Sequence, residues 1–591
     1  MIRKVELGSV DNKNSTPKCQ KGNIKSNPNF TGLGDLALKG IQMCEANPMI
    51  NVSVLDLSTA ILPRTFFETF IGSKKKDENG ETQKRKLNLF GGFEAFRRES
   101  SGLIINCLIP SFIVIGVAKL LNRPVMGDFN KSNLTKSWAN GEAIDNISKF
   151  FAETKVQEPK ARIYTTLKNL TENLYGIDGS QEKSFKEILS GDKEYEKRLQ
   201  KAAENIFTSH RDEVTDGIFS KFKKFFGIKT YKNYTDDLYE YVVNKTGIAE
   251  NIRFSDKKGY STSNLKHIYD SSGDILNGVV KENISADSDK VAKYIGKAKK
   301  LVNAKSAFGL LGVIIPLAIA AQPVNRWITH KLSGKGGAPI YNDDKDRHLT
   351  PDEKKKLTAQ KFFAVPLMWG VAALSMLLDR PTLKMFQFKN IFPTMDQARI
   401  ISAATFSSRI AASEDSNELK ENTIRDIATF SSFYFLGDYA AKGIASFLEK
   451  KTGITLVNKL KEAPKDANIF QKAWNWAKNT TMKSSDELNA ITYDKLSEKA
   501  KKNLGTITDE ALRSKAKNLR ALCQIGNLAF SLLSLGIFIP LYTRTQTNKK
   551  QKELEEKAAM AQATSTTFTN SLTTKSPAFK AFSLDKTQKA A

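Results

Sequence analysis

The amino-acid sequence predicts an all-α polytopic membrane protein with about four transmembrane helices, arranged as two tandem span–insert–span repeats with helical soluble inserts. Three observations predict it. Four apolar runs, three of them uncharged, lie between strongly basic flanks; the runs resemble one another in pairs; and the long polar segments inside each pair carry helical periodicity.

Residues 1–30 hold almost nothing that could bury surface and read as a disordered tail. They contain no apolar stretch of signal-peptide type, so no cleaved signal is expected and an internal segment must carry the chain to a membrane. Residues 31–102 form a basic N-terminal region. Its apolar residues come in short runs broken by Asn47-Pro48 and Pro63, and Lys74 to Lys86 reads as a solvated loop. The first span is 103–121, LIINCLIPSFIVIGVAKLL, with the single charge Lys119 near its end. At 1.5 Å per residue such a helix is about 28 Å long, close to the hydrocarbon thickness of a bilayer. Pro110 is tolerated in a span whose neighbours satisfy the freed carbonyl.

Three further spans follow at 306–322, 362–378 and 525–542, none carrying a charge. They are apolar all round instead of along one stripe, which separates them from the core helices of a large soluble protein. A fifth stretch, 427–448, contains Asp438 and Lys442 at i, i+4 spacing. That spacing reads as a surface ion pair on a half-buried or re-entrant helix. Asp438 is the one polar position that, inside a span, would point to ion or proton handling.

The runs pair off. Ile109 to Pro124 (IPSFIVIGVAKLLNRP) matches Val365 to Pro381 (VPLMWGVAALSMLLDRP) in an early Pro, a central Gly-Val-Ala and a Leu-Leu…Arg-Pro exit. Ala307-Phe308 with GLLGVIIPLA matches Ala529-Phe530 with SLLSLGIFIPL. Each intervening insert also ends a helix on Lys-Thr-Gly, placing Gly247 and Gly453 as C-terminal caps. Three similarities in the same order indicate duplication.

Basic residues set the orientation. The linker 323–361 is short and carries Arg326, Lys331, Lys335, Lys345, Arg347, Lys354, Lys355, Lys356 and Lys361. The positive-inside rule puts it in the cytoplasm, with the segment before the first span and the tail 543–591, which reads as polar and largely disordered. The two inserts then share the opposite face.

The first insert, 122–305, reads as helical. Ile163, Leu167, Leu170 and Leu174 share one face, and Tyr195, Leu199, Ala202 and Ile206 another. Phe219, Phe222 and Phe226 recur with Lys221 and Lys224 between them, which suits a helix lying on anionic lipid; an amphipathic helix packed on its own domain is the plainer alternative. In the second insert, 379–524, Trp474 and Trp476 read as interfacial anchors or a small core.

Composition narrows the function. The net charge is +28, the isoelectric point about 9.6 and the mean hydropathy −0.38. Cys19, Cys44, Cys107 and Cys523 are far apart and form no CxxC, so neither a disulfide framework nor a zinc site is expected. The four histidines share no motif, Ser333 to Gly337 lacks phosphate-loop spacing, and no nucleophile elbow appears. The expectation is a protein without catalytic activity or cofactor. It would be a structural or interaction protein of the envelope, whose partners are the bilayer, anionic lipids, other proteins and its own copies. A transporter or channel of duplicated units is the alternative, and a soluble nucleic-acid-binding protein a weaker one, because the charge is diffuse and motif-free. Lys/Asn/Ile-rich usage suggests an AT-rich bacterial genome and hence an inner-membrane location.

Overall fold

Helices dominate the computed structural model, which describes residues 48–70, 87, 89–110, 112, 113, 116, 141–213, 231–260, 264–284, 287–333, 349–378, 393–542, 545, 546, 549 and 560. Among these residues seven helical limbs of alternating direction build a bundle, and the two inserts dock together at one end of it.

The first limb is α1 (Pro48–Leu55) joined to α2 (Leu62–Phe70) by a π-helical stretch, Asp56–Ile61. The second is α3 (Leu89–Leu103), continued by the π-helical stretch Ile104–Leu108. The two run antiparallel. Arg64 pairs with Glu99, and Gly92 packs so tightly on Thr69 that a Cβ would stand 1.9 Å from its Oγ1. Most of the expected first span beyond residue 110 lies outside the described residues.

The first insert contributes α4 (Gly141–Glu153), α5 (Pro159–Glu172), β1 (Leu174–Asp178), β2 (Gln181–Ser184), α6 (Phe185–Leu189), α7 (Lys193–Thr208), α8 (Asp236–Thr246), β3 (Ile252–Phe254), α9 (Leu265–Lys281) and α10 (Ser288–Ala304). Local chemistry sets the helix starts. Glu158 accepts from the Lys160 and Ala161 amides ahead of Pro159, and Asp192 does the same for Glu194 and Tyr195. The predicted faces are buried as expected, from Ile163 to Leu170 and from Tyr195 to Ile206. Leu174 is buried too, but outside the helix. The α5 helix ends at Asn173 and Leu174 enters a three-stranded antiparallel sheet, order β2-β1-β3, in which Gly176 pairs with Lys183 and Ile252. The all-α expectation therefore needs this correction. Strands of three to five residues are too short for a period-two pattern, and β3 is distant in sequence from β1.

From α10 the chain runs through the π-helical stretch Lys305–Ile314 into α11 (Ile315–Ser333), the third limb. The fourth is α12 (Pro351–Leu378), with Lys361 beside Arg326 and Glu418 at the linker end. The fifth is α13 (Met395–Ala411). The sixth is α14 (Ser416–Ser431), the π-helical stretch Ser432–Leu436 and α15 (Gly437–Thr452) in one continuous helix. Contacts fix the directions. Arg399 and Ser402 meet Tyr434 while Arg409 meets Asp426, so α13 and α14 are antiparallel. Arg97 meets Thr329 and Ser101 meets Asn325, so α3 and α11 are antiparallel too.

The second insert follows as β4 (Val457–Lys459), α16 (Ile469–Asn479), β5 (Thr480–Met482), α17 (Ser485–Asn489), α18 (Glu498–Leu504) and the polar half of α19 (Asp509–Ser531). Strands β4 and β5 pair antiparallel. The seventh limb is the apolar half of α19, continued by the π-helical stretch Leu532–Phe538 to Tyr542. Among the described residues three helices, Ser288–Leu332, Pro351–Leu378 and Asp509–Tyr542, are long and apolar enough to cross a membrane.

Helices α13 and α14, which sequence patterning assigned to the second insert, pack inside the bundle. Almost every α13 side chain from Gln397 to Ile410 is buried. Ser402, Thr405, Ser407 and Ser408 keep its hydropathy low while their small size admits α11, α12 and α14 on its sides.

Both Lys-Thr-Gly sites cap their helices in the left-handed region, Gly247 at φ 75° and Gly453 at φ 81°. A Cβ on Gly453 would also stand 2.6 Å from the Ala500 Cα, whereas Gly191, at φ 75°, has open space around it. A side chain at either site incurs a backbone cost of about 1–2 kcal/mol. Gly453→Ala should lower the melting temperature clearly more than Gly191→Ala; equal losses in thermal unfolding would remove the claimed contact with α18.

Candidate functional site

Charged side chains converge where four π-helical stretches meet inside the bundle. Asp56 and Ala60, Asn106 and Cys107, Phe433 and Tyr434, and Leu535 come from those stretches and line a cavity of about 40 Å³. A π turn widens a helix and leaves main-chain groups less regularly bonded, which is why such turns gather at functional positions. The cavity is completed by Arg64, Glu99, Ser402, Thr405, Arg409 and Asp426. It has room for about two or three waters.

The ions are arranged as a chain. Glu99 pairs with Arg64 and, at 3.7 Å, with Arg409. Arg409 reaches Asp426 at 3.1 Å, and Arg425 donates to the same Asp426 oxygen at 3.1 Å and to Asn422 at 2.9 Å. The second Asp426 oxygen is buried and has no hydrogen-bond partner among the described residues. Asp56 faces the same cavity with neither a hydrogen bond nor an ion pair among the described residues. Neutral bonds close the walls: Thr405 to Asn106 at 2.8 Å and Ser402 to Tyr434 at 2.7 Å. A second layer toward the linker end joins Glu94, Arg97, Thr329 and Asn325, then Arg326 with Glu414 and Glu418. The cavity can hold water and protons. Among the described residues no three His, Cys, Asp or Glu side chains gather to hold a metal ion.

A second polar cluster lies in the seam between the inserts. Glu487 closes the capping box of α17 through the Ser484 amide and accepts from the Ala249 and Glu250 amides of the first insert, both at 3.2 Å. Lys483 pairs with Asp178 at 2.6 Å, Tyr239 donates to Asp486 at 2.6 Å, and the Gly179 amide donates to Asn458 at 2.9 Å. Burial alone would raise the Asp178 carboxyl, but Lys483 and Lys183 hold it below its ordinary value. Glu250 goes the other way: burial first, then the charge of Glu487, pushes it up to about 7 against the pull of Arg520.

Of the residues singled out in the sequence, Asp438 lies on the first turn of α15, half exposed and bonded to Lys442 at 2.6 Å, away from the cavity lining. Phe219, Phe222, Phe226, Lys221 and Lys224 lie outside the described residues. The cavity residues themselves escaped sequence reasoning. The available signal was Asp56 inside the apolar NVSVLDLSTAIL and Arg399 and Arg409 at the ends of a small-residue helix. No family model matches this chain, and no curated protein or solved structure matches it either.

Two outcomes follow from these clusters. Removing one member of a buried ion network leaves its partners desolvated and costs about 3–5 kcal/mol, while an exposed pair is worth about 0–1 kcal/mol. Arg409→Met should therefore unfold the protein at markedly lower denaturant than Arg198→Met, which breaks the exposed pair with Glu194; similar midpoints would contradict the network's role. In the seam, Glu250 titrates higher when docked than its ordinary 4.5, so the docked state binds the extra proton between that value and about 7. The contribution of Glu250 to docking is thus fully present below pH 4.5 and is lost as pH rises through about 7. Hydrogen exchange at the Gly179 and Lys459 amides, corrected for intrinsic rate, should accelerate over that range and lose the dependence in Glu250→Gln.

Proposed function

We propose that this chain is a multi-pass protein of the cell membrane with a structural or interaction role, holding its two inserts as a single lobe on one face of the bilayer. The observation that carries the reading is the apolar belt on the three long helices. Phe308, Leu311, Ile319 and Trp327, then Phe362, Phe363, Leu367 and Leu377, then Leu533, Phe538 and Leu541 all stand exposed. Soluble monomers rarely expose contiguous apolar patches beyond a few hundred Å², and lipid is the solvent such a belt fits. Trp327 with Lys331 at 4.5 Å over its ring suits the headgroup level at the basic linker end.

The docking of the inserts supports a common face. Four limbs, α11 to α15, separate them in sequence, and an even number of crossings returns the chain to the side it left. The same parity applies with two limbs or four, so α13 and α14 do not disturb the orientation read from the basic loops. Duplication draws support from the two exit helices. Aligning Ala307-Phe308 with Ala529-Phe530 overlays the π-helical stretches Lys305–Ile314 and Leu532–Phe538 over five positions.

A transporter is the second reading, favoured by the cavity: an unpaired Asp56 beside a half-satisfied Asp426 is the polar lining that the apolar spans themselves lack. Asp56→Asn separates the two. It should leave crosslinking of the lobe to its protein partners intact if the role is structural, and abolish proton-coupled movement across proteoliposomes if it is transport.

The main reading is tested by topology reporters fused near residues 220, 345 and 480 and at the C-terminus. Residues 220 and 480 should report the outside, and 345 and the C-terminus the cytoplasm. Cytoplasmic signals at all four sites, with the protein extracted by carbonate, would overturn it.

A further inference from the structure

Helix α16 interrupts the β4–β5 hairpin and projects from the second insert. Its start is fixed by a capping box between Asn468 and Gln471, and its end by its direct run into β5. On a helical wheel Ile469, Phe470, Ala473, Trp474, Trp476 and Ala477 share one arc, and Lys472 and Lys478 fall at its two edges. Ile469 and Phe470 are about four-fifths exposed and Trp474 about half. A face of this size turned to water in an otherwise well-packed lobe requires a partner.

The position of the helix indicates which partner. Trp476 packs on Tyr439, ring centroids 6.1 Å apart. Tyr439 lies in the first turn of α15, just after the chain leaves the bundle through the stretch Ser432–Leu436. At that level Gly437 touches the Asn527 side chain, two residues into the apolar run that begins at Ile525. The α16 helix is therefore held beside the bundle where its apolar belt starts. Next to it, the turn 461–467 and the helix enclose an open groove of about 530 Å³, walled by Lys461, Asp466, Gln471, Trp474, Asn475 and Lys478, so that its two lysines outnumber its one carboxylate. Asn475 donates to the Lys461 carbonyl at 3.0 Å and holds the two walls together.

We propose that α16 lies in the surface of an anionic bilayer, with Ile469, Phe470 and Trp474 among the acyl chains and a lipid phosphate in the Lys461–Lys478 groove. The apolar arc with lysines at its edges is the pattern of interfacial helices, whose long cationic side chains reach headgroups while their stems cover apolar surface. The proposal rests on the membrane reading above and extends it to a segment that spans nothing. It fastens the lobe at a second point, beside the bundle where the apolar belt starts.

The test uses the full chain in proteoliposomes. Cys19 and Cys44 are replaced by Ser, the buried Cys107 and Cys523 are left in place, and an environment-sensitive fluorophore is attached at Phe470→Cys. Residue 470 is 82% exposed, so the substitution disturbs no packing. In vesicles of phosphatidylglycerol and phosphatidylcholine the emission should shift to the blue and be quenched by spin-labelled lipid. The quenching should weaken in phosphatidylcholine alone and in Lys461→Gln/Lys478→Gln. A label at Phe363→Cys, in the α12 belt, reports the membrane reading independently. Quenching at 363 with an aqueous signal at 470 overturns this inference alone and leaves a protein partner as the occupant of the face. Equal quenching at 470 in both lipid preparations overturns the anionic-lipid assignment, and quenching unchanged in Lys461→Gln/Lys478→Gln overturns the phosphate site in the groove. An aqueous signal at both sites overturns the membrane reading itself.

Discussion

The chain of ions from Arg64 through Glu99, Arg409 and Asp426 to Arg425 constrains everything around it. It ties the first, second, fifth and sixth limbs at one level, and charges removed from water are stable only while each keeps its partner. That requirement fixes which faces of four helices meet and at what register. The helices accommodate it locally: π-helical stretches of four limbs line the cavity, and the small side chains of α13 let its neighbours approach.

The lobe obeys a different logic. Each insert has its own apolar core, and the seam between them carries specific polar links: Glu487 caps its own helix while accepting main-chain amides from the other insert, beside the Lys483–Asp178, Tyr239–Asp486 and Gly179–Asn458 contacts. Such a joint contributes geometry more than affinity, because every donor in it already has water as an alternative partner. Long, stiff helices carry that geometry into the bundle. The sixth limb and the two exit helices each pass from bundle to lobe without a break, so the relative placement of the layers depends on continuous helix and not on a flexible linker.

The interfacial assignment of α16 and the apolar belt describe one environment at two depths. The belt offers side chains that are apolar all round, while α16 offers one apolar arc edged by lysines, and the two are adjacent through Trp476 and Tyr439. Asp438 belongs to this boundary as well. Its ion pair with Lys442, and the stacking of Lys442 over Tyr439, place charge where the polar and apolar layers of the molecule meet.

The sequence by itself determined the features with a local or periodic cause. The uncharged runs at 306–322, 362–378 and 525–542 lie on the three helices long and apolar enough to cross a membrane, because length and hydropathy alone decide that property. The glycines at 247 and 453 cap their helices because a left-handed residue follows from glycine's missing side chain. Tertiary structure alone decided the rest. The short strands form because partners far along the chain come together, which no window of sequence contains. The α13 helix enters the bundle although its serines and arginines read as polar, because neighbouring helices supply the partners that hydropathy assumes to be water. The cavity is the extreme case: Asp56, Glu99, Arg409 and Asp426 are unremarkable charges in four separate segments, and only packing makes them a site.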